Sequence, residues 1–200
     1  MSNRIAVRNA IISCYDKKGL REFVSELEKA IPDIKIYSSG GTYRQLQEAA
    51  KGKVTEIAAY TGFPEMPSGL VKTLHPKVHA GILADKNNAE QMEYLKQNGI
   101  ETFDMVIVNL YPFEKAVAEG ADMEEARKNI DIGGVSLIEA AAKNFRRVTV
   151  VCDANDYNKV LEEIKKGGVS SKTRLELAKK TFKYLAQYLK AISSYFEAAK

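Results

Sequence analysis

The sequence predicts an α/β protein of three layers, a mostly parallel sheet with helices on both faces and a long C-terminal helix, in one domain spanning 1–200. Three observations carry this expectation. Short apolar runs alternate with segments of helical period, the pattern of strand and crossover helix in a sheet covered on both sides. The last thirty residues hold one apolar seam. Finally, 200 residues with 45% hydrophobic and 28% charged content suit a single globular domain.

Taken in order, Asn9–Cys14 (NAIISC) reads as a strand, and Lys17–Ala30 as a helix with Leu20, Phe23, Val24 and Leu27 on one face and Asp16 as its cap. Ile34–Tyr37 is a second strand and Thr42–Ala50 a second helix, with Tyr43, Leu46 and Ala50 aligned. Val78–Leu83, Phe103–Leu110 and Val148–Cys152 read as further strands. Glu90–Gln97, Glu124–Lys128, Val135–Lys143 and Asp156–Lys166 read as helices. The C-terminal seam runs Leu175, Ala178, Phe182, Leu185, Leu189, Ile192, Phe196 at spacings of three and four, and is expected to pack on the sheet.

The stretch Thr61–His79, TGFPEMPSGLVKTLHPKVH, breaks this rhythm. Pro64, Pro67, Gly69 and Pro76 deny it a continuous helix or central strand, so it reads as a long loop. Phe63, Met66, Leu70, Val71, Leu74 and Val78 give it apolar surface to pack down, which would hold Lys72, Thr73 and His75 in fixed places.

Composition narrows the function classes. No apolar run reaches the roughly 20 residues of a membrane span, and MSNRIAVRNA lacks a signal-peptide core, so a cytoplasmic protein without a membrane partner is expected. Cys14 and Cys152 lie in apolar, strand-like segments and read as buried thiols. The net charge of +4 comes from 30 basic and 26 acidic residues without a Lys/Arg block, which speaks against nucleic acid and for a small anionic ligand. His75 and His79 have the i, i+4 spacing of metal ligands, but Pro76 lies between them and no third ligand is near, so no metal is expected.

In a parallel sheet of this kind ligands bind outside the carboxyl ends of the strands. The first strand runs into Ser13, Tyr15, Asp16 and Lys17, the second into Ser38, Ser39, Gly40, Gly41 and Thr42, and the Phe103 strand into Asn109 and Tyr111. Ser-Gly-Gly-Thr before a helix offers close backbone approach, a hydroxyl and the positive end of the helix dipole, all suited to a phosphate. Alone it reads better as an ordinary capping turn; with Ser13 and Lys17 at the neighbouring strand end, the phosphate reading prevails. Asp131-Ile132-Gly133-Gly134 opens another helix, which carries Lys143; from spacing alone Asp131 reads as its cap.

Five blocks together closely resemble the IMP cyclohydrolase domain of the bifunctional purine enzyme that also carries AICAR transformylase. They are TGFPEM at Thr61–Met66, VKTLHPKVHAGIL at Val71–Leu83, NLYPF at Asn109–Phe113, NIDIGGVSLIEAAAKN at Asn129–Asn144 and VTVVCD at Val148–Asp153. The resemblance implies a methylglyoxal-synthase-like fold, a homodimer, and closure of the purine ring of formyl-AICAR (FAICAR) to IMP and water without a cofactor. It further implies that Lys72 and Tyr111 stabilise the formyl oxygen, that Asp131 orients or deprotonates the carboxamide, and that Lys143 donates and accepts protons. Ser13, Lys17, Ser39, Gly41 and Thr42 would hold the phosphate. Tyr15, Asp16, Gly40, Leu70, Val71, Thr73, Val108, Asn109, Ile132 and Gly133 would complete the substrate pocket.

This chain departs from the family pattern with Leu70 for Arg, Tyr15 for Ser and Lys18 for Thr, and with Tyr184, Leu185 and Leu189 where the family tends to have His, Thr and Asp. The resemblance does not extend to a transformylase segment, so the chain is either a piece of a larger enzyme or a stand-alone protein with formyl transfer left to a separate one; the altered seam suits a different packing partner and favours the second. A regulatory module binding a phosphorylated effector without chemistry is the alternative, and Leu70 would suit such a decay; Lys72, Tyr111, Asp131 and Lys143 together argue for catalysis. Methylglyoxal synthase is a further rival, but the VKTLHP and IDIGG blocks are not expected of it. One continuous helix from Gly133 to Lys143 would put Asp131 and Lys143 roughly 15 Å apart, a gap that a helix lying alongside the substrate would shorten and that a lysine from a second subunit would also close.

Overall fold

The computed structural model describes residues 4–49, 53–67 and 70–198; Gly69 and the Ala50 end of the second predicted helix lie outside the described residues. The chain runs through β1 (Arg4–Ile5), β2 (Asn9–Cys14), α1 (Leu20–Ala30), β3 (Lys35–Ser38), α2 (Gly40–Ala49), β4 (Val54–Glu56) and α3 (Ile57–Thr61). It continues through α4 (Pro76–Leu83), α5 (Ala89–Gln97), β5 (Met105–Asn109), α6 (Phe113–Ala118), α7 (Met123–Lys128) and α8 (Ile132–Lys143). β6 (Thr149–Val151), α9 (Tyr157–Ile164), β7 (Val169–Ser170) and α10 (Ser171–Ala198) complete it.

Five strands form a parallel sheet in the order β4-β3-β2-β5-β6, and β1 pairs antiparallel with β7. β2 is central because its run NAIISC is apolar on both faces: Ala10, Ile11 and Ile12 are fully buried. From β2 the chain builds outward through β3 to β4, then crosses back to β5 and β6 on the other side. That reversal opens a crevice at the carboxyl ends of β2, β3 and β5, where ligands bind in such sheets. Ser13 registers with Val108 and Cys14 with Asn109, so the two strands end together at the crevice. Helices α1, α2 and α9 pack together on one side, and α4, α6, α8 and α10 on the other. Cys14 and Cys152 are free thiols. Among the described residues no helix is long and apolar enough to cross a membrane.

Several elements differ from expectation. Val78–Leu83, predicted as a strand, lies in helix α4. Pro76 occupies its first turn and the His75 ring nitrogen Nδ1 accepts the Lys77 amide at 3.1 Å, so the proline begins the helix it was expected to exclude. Buried Val78, Gly81 and Ile82 then follow helical spacing. Helix α1 starts at Leu20 because Gly19 adopts φ 68°, and Asp16 caps the preceding turn, accepting the Lys18 amide at 2.9 Å. Strand β4 and helix α3, too short to show a period, were not anticipated.

Helix α10 has 28 residues, but its buried face is rotated from the predicted seam. Ala178 and Leu185 are buried, whereas Leu175, Phe182, Leu189 and Phe196 are exposed. The face that meets the domain instead carries Arg174, Thr181 and Tyr188, polar residues that an apolar count overlooks. Each is satisfied internally: Arg174 donates to the carbonyls of Phe145 and Arg146, and Thr181 to that of Leu177.

Candidate active site

The start of α2 is the centre of the crevice. Gly40 has φ 54°, a left-handed conformation that favours glycine, and a Cβ there would lie 3.1 Å from Lys72 Nζ. A Cβ on Gly41 would lie 4.0 Å from Lys17 Nζ. Two ammonium groups, one from the turn after β2 and one from the loop after α3, therefore converge on the first turn of one helix. Free helical amides and the dipole already favour an anion there. The predicted Ser-Gly-Gly-Thr turn is thus partly helix: Gly40 and Gly41 open α2, and the Ser39 carbonyl accepts the Tyr43 amide at 3.2 Å.

Thr42 is placed differently from expectation. Its hydroxyl accepts the Cys14 amide at 3.0 Å and donates to the Cys14 carbonyl at 2.9 Å, and the residue is buried. It ties α2 to the end of β2 and has no free donor for a ligand. Ser38, the last residue of β3, likewise spends its hydroxyl on β2, donating to the Ile12 carbonyl at 2.6 Å.

The turn after β2 is held by β5. Asn109 Oδ1 accepts the Asp16 amide at 2.8 Å and Asn109 Nδ2 donates to the Asp16 carbonyl at 2.7 Å. Lys17 Nζ donates to the Tyr15 carbonyl at 3.0 Å, which keeps the ammonium beside Gly41. The exposed rings of Tyr15 and Tyr111 meet with centroids 4.9 Å apart. Ser13 lies in β2 at the crevice end, and Val108 opposite it is buried, leaving only its backbone to a ligand.

Lys72 is paired with Glu65 from the same loop. Val71, just before it, has φ 54°, strained for a β-branched residue. Leu70 and Val71 point outward, whereas Thr73 is buried. A Cβ on Gly133 would come within 2.9 Å of Thr73 Oγ1, so the loop packs directly on the first turn of α8 and requires glycine there. Exposed Ile132 occupies the same turn.

Asp131 caps α8, accepting the Gly134 amide at 2.7 Å. Burial raises its pKa, against the lowering effect of the nearby Gly134 and Tyr111 amides. The capping reading and the functional one therefore describe the same carboxylate, half-buried beside Tyr111. Lys143 does not join it. It is exposed on the last turn of α8, and its neighbour Asn144 donates to the Ile82 carbonyl at the amino end of the sheet.

The crevice thus gathers Ser13, Tyr15, Asp16, Lys17, Ser39, Gly40, Gly41, Lys72, Thr73, Asn109, Tyr111, Asp131 and Gly133, and leaves Lys143 outside it. Sequence reasoning gave no role to Glu65, though TGFPEM contains it, or to Tyr188, whose hydroxyl accepts the Asp131 amide at 2.8 Å. A lone acid in a loop and a tyrosine in an apolar helix carry no local signal of such partners. His79, set aside as a ligand, has a lowered pKa because it is buried.

Comparison with known proteins follows the same lines. The MGS-like domain family matches residues 19–136, and the AICARFT/IMPCHase bienzyme family matches residues 141–200. The bifunctional purine biosynthesis protein PurH of Persephonella marina is 50% identical over 188 residues, 94% of this chain and 36% of that protein. PurH of Ruminiclostridium cellulolyticum is 49% identical over 191 residues, 94% of this chain and 37% of that protein. The chain spans little more than a third of the length of these relatives. The crystal structure of ForH superposes with a TM-score of 0.78 at 29% identity, covering 96% of this chain and 100% of that one.

Proposed function

The chain belongs to the MGS-like domain family, and from that premise we propose that it is an IMP cyclohydrolase, acting as one domain over 1–200. It closes FAICAR to IMP with loss of water, the last step of de novo purine synthesis. One observation carries the reading: Lys17 and Lys72 converge on Gly40 and Gly41 at the start of α2, with Asp131 and Tyr111 neighbouring each other in the same crevice. An anion cradle beside a partly buried carboxylate is what a phosphorylated substrate needing proton transfer requires.

In the reaction the carboxamide nitrogen attacks the formyl carbon. A C–N bond forms, the carbonyl π pair moves to oxygen, and the nitrogen proton is transferred. The carbinolamine then loses its hydroxyl as water while the former formamide nitrogen gives up its proton, so atoms balance without an oxidant or cofactor. Holding both arms of one molecule in contact supplies much of the acceleration. Lys17 and the α2 amides fix the phosphate. Lys72, kept over Gly40 by Glu65, and Tyr111 face the developing oxyanion. Asp131 takes the carboxamide proton, and its burial makes it a stronger base than a solvated carboxylate. Lys143 exchanges protons from the second subunit of a homodimer, a role its distance from Asp131 within one chain leaves open.

Incubating the pure chain with FAICAR and following IMP tests the reading. Formation of IMP without added cofactor is expected. Absence of turnover with IMP still bound would favour the regulatory module that binds a phosphorylated effector.

A further inference from the structure

Helix α10 carries Tyr184, Tyr188 and Tyr195, whose hydroxyls all reach backbone groups more than fifty residues away. The Tyr184 hydroxyl accepts the Leu110 amide at 3.2 Å. The Tyr188 hydroxyl accepts the Asp131 amide at 2.8 Å and donates to the Asn129 carbonyl at 3.3 Å. Tyr195 donates to the Ala121 carbonyl at 3.2 Å, away from the crevice. Phe113 wedges against the rings of Tyr188 and Tyr195 at 6.4 and 5.7 Å, fixing their approach.

The amides chosen are specific. Leu110 and Tyr111 are consecutive: the amide of the first is bound by Tyr184, and the amide of the second lies near enough to the Asp131 carboxylate to lower its pKa. Asp131 is in turn bound through its own amide by Tyr188. One turn of a single helix therefore holds the strand end that presents Tyr111 and the helix cap that presents Asp131. Neither amide belongs to a sheet or helix ladder, so the tyrosines supply partners that regular structure does not.

We propose that Tyr188 and Tyr184 are positioning residues for ring closure, setting the Asp131–Tyr111 geometry through the Asp131 and Leu110 amides. The proposal rests on the cyclohydrolase reading. A misplacement of under an ångström between such groups lowers turnover more than it lowers binding, since the phosphate is held elsewhere.

Tyr188→Phe, Tyr184→Phe and Tyr195→Phe remove one hydroxyl each from the same helix, and kcat, KM and Tm are measured for all three. Tyr188→Phe is expected to lower kcat about tenfold or more with KM within about threefold. Tyr195→Phe is expected to lose similar thermal stability and keep wild-type kcat. In an Asp131→Asn background, Tyr188→Phe should cost less than about twofold, because the group it positions is gone. Equal kcat for Tyr188→Phe and Tyr195→Phe, or an undiminished cost in the Asp131→Asn background, would overturn the proposal. If Tyr188→Phe does not fold, Tyr184→Phe carries the same comparison. A wild-type chain that makes no IMP overturns the cyclohydrolase reading itself; an active wild type with an indifferent Tyr188 overturns positioning alone.

Discussion

The Asp131 carboxylate accepts the Gly134 amide at 2.7 Å and stands where a Cβ on Gly134 would lie 2.5 Å from its second oxygen. Cap and base are one group, and the two duties pull on its charge in opposite directions. Burial raises its pKa above the ordinary 3.8. The folded state then binds the proton more tightly than the unfolded chain, so the stability it contributes is present below the unfolded pKa and lost as pH rises through the folded one. At neutral pH the ionised group is a net cost. Asp131→Asn retains a capping oxygen without the charge. It should melt at or above the wild-type Tm at neutral pH, with the gap closing as pH falls towards 4, while turnover drops. Thermal melts across that range check it; a gap that widens on acidification would contradict the sign.

The two lysines at α2 should separate binding from chemistry. Lys17, beside Gly41 and bonded to the Tyr15 carbonyl, serves the anion cradle in the proposed mechanism, so Lys17→Ala should raise KM with little change in kcat. Lys72 sits over Gly40, paired with Glu65, and in the proposed mechanism it faces the formyl oxygen. Lys72→Ala should lower kcat roughly 10² or more, the scale of losing an oxyanion donor. Steady-state kinetics on FAICAR distinguish the two patterns, and matching losses in KM for both would place Lys72 in the cradle only.

Much of this crevice could be read from the chain because strand ends and helix starts bring its parts together by rule. NAIISC is buried on both faces and had to be central, and the residues following it had to reach the carboxyl edge. What escaped depended on partners distant in sequence. Thr42 looked like a phosphate donor until β2 claimed its hydroxyl. The strand predicted at Val78–Leu83 was apolar enough for either state, and only the His75 cap and Pro76 decided for helix. On α10 the buried face follows Arg174, Thr181 and Tyr188, whose hydrogen bonds make burial tolerable; a count of apolar spacings pointed to the neighbouring stripe.

Leu70, which the sequence resemblance reads as replacing an Arg, is exposed beside the strained Val71. With Lys17 and Lys72 already at the cradle, a further cation there would be partly solvated, and such a contact is worth about 1 kcal/mol. Leu70→Arg should therefore change FAICAR affinity less than about tenfold, as measured by titration. A much larger gain would mean that the native pocket lacks an essential charge.

Lys143 poses the sharpest geometric question, because it ends the same 12-residue helix that Asp131 caps. At about 1.5 Å per residue the two backbones are separated by roughly 18 Å, and an extended lysine recovers only part of that. If Lys143 serves catalysis, it serves a neighbour's site in a homodimer. In a symmetric pair each interface is self-complementary, so each chain would lend its lysine to the other. Mixing Asp131→Asn chains with Lys143→Ala chains then creates heterodimers in which one site carries both defects and the other carries neither. Isolated heterodimers should regain about half of wild-type activity, and random mixtures about a quarter, from two nearly inactive parents. Recovery at that level identifies a shared lysine. No recovery from verified heterodimers would mean that each chain completes its own site. Undiminished activity in Lys143→Ala alone would remove the residue from the reaction.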